Sequence, residues 1–456
     1  MAFIKPNVAL SAGPGHECRV RGTHGAGGYW MGKMAYNRRV GLLSAWFLAV
    51  VFIHVRDSHY AVNDAALTFF IAVATLASLK IAQSGAVRWY VVAGVATGLG
   101  FATKYTAAFA LLPVIVGHFL SPAVELRRLA KPRLGRLMVA LVIAGLAAVV
   151  GSPYFLLTPN QVIRDAYEAL YLAGRQGFEG WQIDAAGGYL FYLKTLAWGL
   201  GWGLLLLALA GVTVALLRRK PQDVVLLSLP IVMYTVMGQQ RMYFARFVLP
   251  LVPALLVMGA SLLEKLVTSL TVGSKRMAVA MSIGALLVTA QPLVFSLRHD
   301  YLLTQADTRT LAKRWIEANV PGGAKIAVDW PTHGPPLSTA EKAMPASSRI
   351  YDVTAMGGTG LSEHSMQWYR EQGFDYLIAS SFIYRIPLVD RERDAERQAF
   401  YASLDQELEL VQEFRPSQDD AEPPFIFDEL YGPAVSLWQR ERPGPTLRIY
   451  RIMEQK

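Results

Sequence analysis

The chain has 456 residues, of which 53% are hydrophobic and 17% charged, and its mean hydropathy of +0.30 is high for a soluble protein of this length. The formal net charge of +10 would suit nucleic acid, but Lys and Arg gather in short loops between apolar runs, which fits membrane topology and anionic lipid instead, so no nucleic-acid partner is expected. A lone cysteine, Cys18, excludes an internal disulfide and a cysteine metal cluster.

Residues 1–39 are rich in Gly, lack the apolar core of a signal peptide, and read as an irregular segment. Lys33, Arg38 and Arg39 precede the first apolar run and place this end in the cytoplasm. About nine crossings follow within 40–297, each near the length a bilayer requires. Their expected spans are 40–55, 67–82, 90–103, 106–120, 134–157, 196–217, 223–238, 246–263 and 277–297, of which the third and fourth are short. With that count, Arg88, the cluster Arg127, Arg128, Lys131, Arg133 and Arg136, the run Arg218 to Lys220, and Lys265, Lys275 and Arg276 fall on one side. An odd number of crossings then puts residues 298–456 on the other, extracytoplasmic side.

The same count sets four features on the outer face: the 56–66 loop, the Lys104–Tyr105 junction, an outer segment over 158–195, and the turn from Gln239 to Arg246. Catalytic and binding groups concentrate on such connections. The polar stretch Arg56 to Asp64 is the first site candidate. Two carboxylates, Asp57 and Asp64, and the imidazole of His59 at the mouth of a bundle demand pairing, hydration or use. In the outer segment, Val162, Ile163, Ala166 and Leu170 recur at helical spacing, predicting a helix over 160–173.

After Arg298 the pattern changes. A helix is expected over 308–319, strands over 324–328, 376–379, 408–414 and 447–452, and further helices near 362–372 and 390–404, together a small α/β domain. Pro-rich tracts at 330–346 and 416–424 read as surface loops. The run Gly357-Gly358-Thr359-Gly360 lacks the flanking strand of a phosphate loop. Asp329, Trp330, His333, Glu363 and His364 have no metal-ligand spacing that stands apart from chance.

The run His59 to Phe70, with Asp64 at its centre, resembles the outer-loop motif of membrane glycosyltransferases that use a polyprenyl-phosphate sugar, the protein O-mannosyltransferase and aminoarabinose transferase relatives with the C-type glycosyltransferase fold. Gly94 to Tyr105, Ser152-Pro153-Tyr154-Phe155, Tyr243 to Pro250, and Asp307 to Gly322 support the likeness in order and spacing. One departure stands out: family members begin with a further helix and an acidic outer loop, whereas nothing before residue 40 reads as a crossing, and Glu17 is the sole acid there.

The resemblance implies transfer from a polyprenyl-phosphate sugar donor to an envelope glycan, lipid or protein acceptor, with inversion, at the outer face of a bacterial plasma membrane. Asp64 takes the catalytic position, with Asp57 and His59 as further candidates; the alternative for Asp64 is a helix N-cap. Asp64 and Asp57 are also the pair to consider for a divalent cation, the one cofactor entertained. Lys104, Arg246 and Arg241 are candidates for the donor phosphate, against snorkelling or headgroup pairing. Tyr105, Tyr154 and Tyr243 would line the cavity, unless they form an interfacial belt. Rival readings are an inactive scaffold that binds a lipid-linked sugar and a transporter or flippase. The latter predicts a polar path and a repeated half, neither of which is evident.

Overall fold

The structure, a computed structural model, describes residues 14–122, 132–168, 188–240, 244–330, 332–340, 349–386, 394–417, 422–423 and 434–453, and for 14–24 and 132–133 the backbone alone. The chain divides into a helical unit that runs to Ser296 and a second unit from Leu297 onwards.

In the helical unit, and among the described residues, Asn63–Ser84, Leu134–Gly151, Pro221–Gly238, Ala245–Leu270 and the helix beginning at Ser274 are long and apolar enough to span a bilayer. Two bent pairs join them: Arg38–Val50 with Phe52–His59 at 55°, and Gly188–Leu200 with Trp202–Arg218 at 118°. Where the third and fourth crossings were expected stand Val87–Thr103 and a short apolar helix, Leu111–Phe119, entered through a 3-10 turn over Tyr105–Ala110, neither of them among the helices long and apolar enough to span.

Two sequence expectations are revised here. First, the Gly-rich N-terminal stretch is not irregular throughout, because Pro14–Ala35 is a helix of 22 residues. Gly32 of this helix and Gly41 of the next serve close packing rather than flexibility. A Cβ on Gly32 would lie 2.9 Å from Ser44 Oγ, and one on Gly41 would lie 2.6 Å from the Tyr29 carbonyl, so the two helices meet backbone to backbone. Asn37 ends the turn between them by accepting from the Arg39 and Val40 amides at 2.9 and 3.1 Å. Second, residues 188–195, the last part of the expected outer segment, are helical. They open the Gly188–Leu200 helix, which buries Tyr192, Thr195 and Leu196, and the chain turns at Gly201, where φ is +77°. The helix expected over 160–173 is described as Pro159–Tyr167; residues 169–187 lie outside the described ones.

Asn63–Ser84 is the hub of the helical unit. It packs against Val87–Thr103, Leu111–Phe119 and the 3-10 turn Ala245–Leu251. Its buried Thr68, Thr75 and Ser78 hydroxyls each donate to the carbonyl four residues back, at 2.7, 2.9 and 2.7 Å, so they bring no unmet polar group into the interior. Away from this hub, the fully buried Asp223 is held by Arg218 Nε at 2.7 Å and by the Tyr36 hydroxyl at 2.6 Å, which pins the turn between Trp202–Arg218 and Pro221–Gly238 to the turn after the first helix.

The second unit is an α/β domain around a five-stranded sheet in the order β2-β1-β3-β5-β4. The strands are β1 Lys325–Val328, β2 Asp352–Ala355, β3 Tyr376–Ser380, β4 Glu409–Phe414 and β5 Leu447–Arg451. β1 runs parallel to both β2 and β3, while β5 is antiparallel to β3 and β4. Asp307 caps the Thr308–Asn319 helix by accepting from the Arg309 amide at 2.8 Å. That helix buries Ala312 and Ile316 over Ile326, Val328, Ile378, Leu447 and Ile449.

β2 was not expected from the sequence, so the Gly357–Gly360 run does come after a strand. Even so, the loop offers no phosphate cradle. The Glu363 carboxylate already accepts from the Gly357 amide at 2.6 Å, and the chain continues into a four-residue 3-10 turn, Gly360–Glu363, instead of a full helix. The first Pro-rich tract is likewise not a plain surface loop, since His333, Gly334, Pro335, Leu337 and Ser338 are buried; Pro416 and Pro423 are buried as well.

Candidate active site

Asp64 does not cap its helix. The helix begins one residue earlier, at Asn63, with Val62 as a cap that makes no side-chain bond. The carboxylate therefore lies in the first turn, where the helix dipole favours a negative charge, and is free to reach across the bundle. Only 1% of Asp64 is exposed. Lys104 Nζ lies 2.6 Å from its Oδ1 and Arg246 Nε lies 3.2 Å from its Oδ2. One cation thus engages each oxygen.

Three chain segments far apart in sequence build this cluster, and each is locally disposed to do so. Lys104 ends Val87–Thr103 in extended conformation (φ −160°, ψ 132°), which turns its side chain off the helical path. Arg246 is the second residue of the 3-10 turn Ala245–Leu251, whose Val248, Leu249, Pro250 and Leu251 are buried and anchor it. Around the cations are aromatic faces. Lys104 Nζ stands 4.2 Å above the Phe247 ring, and the Arg246 guanidinium carbon stands 4.1 Å above that of Phe244.

The other sequence candidates fall elsewhere. Asp57 and Arg56 are a separate buried ion pair at 3.2 Å on the Phe52–His59 helix, with Arg56 also 5.6 Å over the Trp198 ring. His59 Nδ1 is 2.9 Å from the Val55 carbonyl one turn back. The ring of Tyr105 packs with Phe101 at 5.4 Å and with Phe155 at 6.4 Å, whereas Tyr154, one residue before Phe155, is 65% exposed. Arg241 and Tyr243 lie outside the described residues. Of the carboxylate pair considered for a divalent cation, Asp57 is engaged by Arg56 and Asp64 by Lys104 and Arg246.

In the α/β domain, Asp329 is fully buried at the end of β1. It accepts from the Leu361 and Ser380 amides at 2.7 Å each and from the Tyr401 hydroxyl at 2.8 Å. Burial pushes its carboxyl up to about 6, although all three donors favour the charged form. Gly360, with φ +68°, abuts that carboxylate so closely that a Cβ would collide with it. His333, packed edge-on against Phe382 at 5.6 Å, is driven down to about 3 by burial and by nearby Arg309. His364 stacks on Trp368 at 3.7 Å. These groups knit the domain together. The knot was not foreseen, because its partners are backbone amides and a distant tyrosine.

Among known proteins, the family model for dolichyl-phosphate-mannose-protein mannosyltransferase matches residues 26–152. No match was found among curated protein sequences. Similar solved structures include the Archaeoglobus fulgidus oligosaccharyltransferase in complex with Zn and sulfate, at 15% identity and a TM-score of 0.46, covering 82% of this chain and 57% of that one. ArnT from Cupriavidus metallidurans bound to undecaprenyl phosphate matches at 13% identity and 0.44, covering 87% and 82% respectively. The arabinofuranosyltransferase AftD from Mycobacteria matches at 14% and 0.45, covering 96% and 33%. The chain thus spans little more than half the length of the archaeal enzyme. The matched stretch contains the runs His59 to Phe70 and Gly94 to Tyr105, on which the resemblance was read from the sequence.

Proposed function

We propose that this integral membrane protein transfers a sugar from a polyprenyl-phosphate donor to an acceptor hydroxyl or amine, with inversion, at the outer face of a bacterial plasma membrane. The observation that carries the reading is the convergence of Asp64, Lys104 and Arg246 from three segments onto one buried point. Breaking the bond between the anomeric carbon and the phosphate oxygen concentrates negative charge on the departing phosphate. Two cations placed there beforehand stabilise that charge more than water would, and the guanidinium can grip two phosphate oxygens at once.

In the free site, Asp64 holds the place that the phosphate takes. When the donor arrives, its phosphate takes over the cations and Asp64 turns to the acceptor. The acceptor atom bonds to the anomeric carbon and gives its proton to Asp64, and the polyprenyl phosphate leaves with the electron pair. An envelope glycan, lipid or protein fits as acceptor. The sidedness rests on the basic loops, which gather on one side by the crossing count.

The test is transfer from radiolabelled polyprenyl-phosphate sugars by the purified chain in lipid. Asp64→Asn is expected to lower turnover by about a hundredfold or more, while the protein still inserts and binds donor. Unchanged turnover would refute the role. Donor binding with no transfer in the wild type would favour the scaffold reading.

A further inference from the structure

We infer that Phe247 is a positioning residue that holds the two phosphate-site cations side by side, an inference that rests on the reading of this site as one for the donor phosphate. Lys104 and Arg246 repel one another, and in the free site Asp64 offsets that repulsion from one side. Once Asp64 gives way to substrate it no longer fixes their spacing. Phe247 remains on another side. Its ring centroid is 4.2 Å from Lys104 Nζ and 5.5 Å from the Arg246 guanidinium carbon, so one aromatic ring serves both cations.

Phe247 is itself held in place. The Phe244 ring meets it edge-on at 5.3 Å and 66°, and its amide donates to the Phe244 carbonyl at 3.1 Å. Whereas Val248, Leu249, Pro250 and Leu251 are buried, Phe247 is only half-buried. Nothing in this contact needs Asp64, so the cation seat persists through the substrate exchange that the carboxylate undergoes.

The experiment keeps shape and changes charge distribution. In the full chain in lipid nanodiscs, Phe247 is replaced with 4-fluoro-, 3,5-difluoro- and 3,4,5-trifluorophenylalanine, which weaken the negative ring face stepwise at nearly constant size. The Kd for undecaprenyl phosphate is expected to rise with each fluorine, reaching about fivefold to tenfold for the trifluoro ring. Phe247→Tyr should stay near wild type and Phe247→Leu should match or exceed the trifluoro loss. A Kd that is flat across the fluorinated series would overturn the inference, since a packing role alone is blind to fluorine. A second readout needs no donor: the ε-methylene NMR signals of Lys104 should be shifted upfield by the ring current in wild type and relax downfield in Phe247→Leu. If wild type fails to bind undecaprenyl phosphate, the phosphate reading falls, and the ring-current shift still decides whether the seat exists.

Discussion

At the scale of single residues, company rather than burial distinguishes Asp64 from Asp57. Both are 1% exposed, but Asp57 is paired with the neighbouring Arg56, a local ion pair, while Asp64 draws one cation from 40 residues ahead and another from far beyond. Asp64, Lys104 and Arg246 were each legible in the sequence as polar groups at the ends of apolar runs. Phe247 was not, because one more phenylalanine beside an apolar run carries no period and no charge to mark it.

The residue scale also yields a pH prediction, from groups outside the membrane-spanning helices. His333 has its pKa lowered from 6.5 to about 3 in the fold, so the unfolded chain takes up its proton first. Its contribution is whole above pH 6.5 and is lost as pH falls toward 3. Asp329, raised from 3.8 to about 6, has the opposite slope: it favours the folded state most below pH 3.8 and less as pH rises through 6. The two oppose each other between roughly pH 4 and 6. His333→Leu removes one of them. Relative to wild type, the variant should gain about 1.4 kcal/mol per pH unit as pH falls from 6.5, read from denaturant melts of the α/β domain in the full chain. A difference that does not vary with pH would show that His333 titrates as it does in water.

At the scale of elements, strong periodicity read true and compositional bias misled. The Thr308–Asn319 helix shows its apolar residues at helical spacing with an Asp just ahead, so both its face and its start were visible. β2 escaped notice because an edge strand with the burial pattern exposed, half, half, exposed shows no apolar alternation. The N-terminal helix escaped because glycine was read as a chain breaker, when here its lack of a side chain is the very thing a neighbouring helix needs. The consequence can be measured: Gly41→Leu should destabilise the helical unit by roughly 2 kcal/mol or more, seen as a lower unfolding midpoint in detergent. A midpoint equal to that of wild type would mean the first two helices separate at no cost.

At the scale of the whole molecule, the chain carries a bundle that is mostly apolar on its outside and an α/β domain with an ordinary soluble core. A reporter that is active only outside the cytoplasm, fused after Lys456, is expected to score positive; a positive cytoplasmic reporter at that position would reverse the proposed sidedness and with it the outward face of the site. The sheet adds a constraint on how the domain is made. β5 lies between β3 and β4 and contributes the fully buried Leu447 to the core. During synthesis β4 emerges first but has no neighbour to pair with until β5 slots in between. The sheet therefore cannot grow strand by strand as the polypeptide appears, and its half-made edge along β3 stays open to other chains until residues 447–451 arrive.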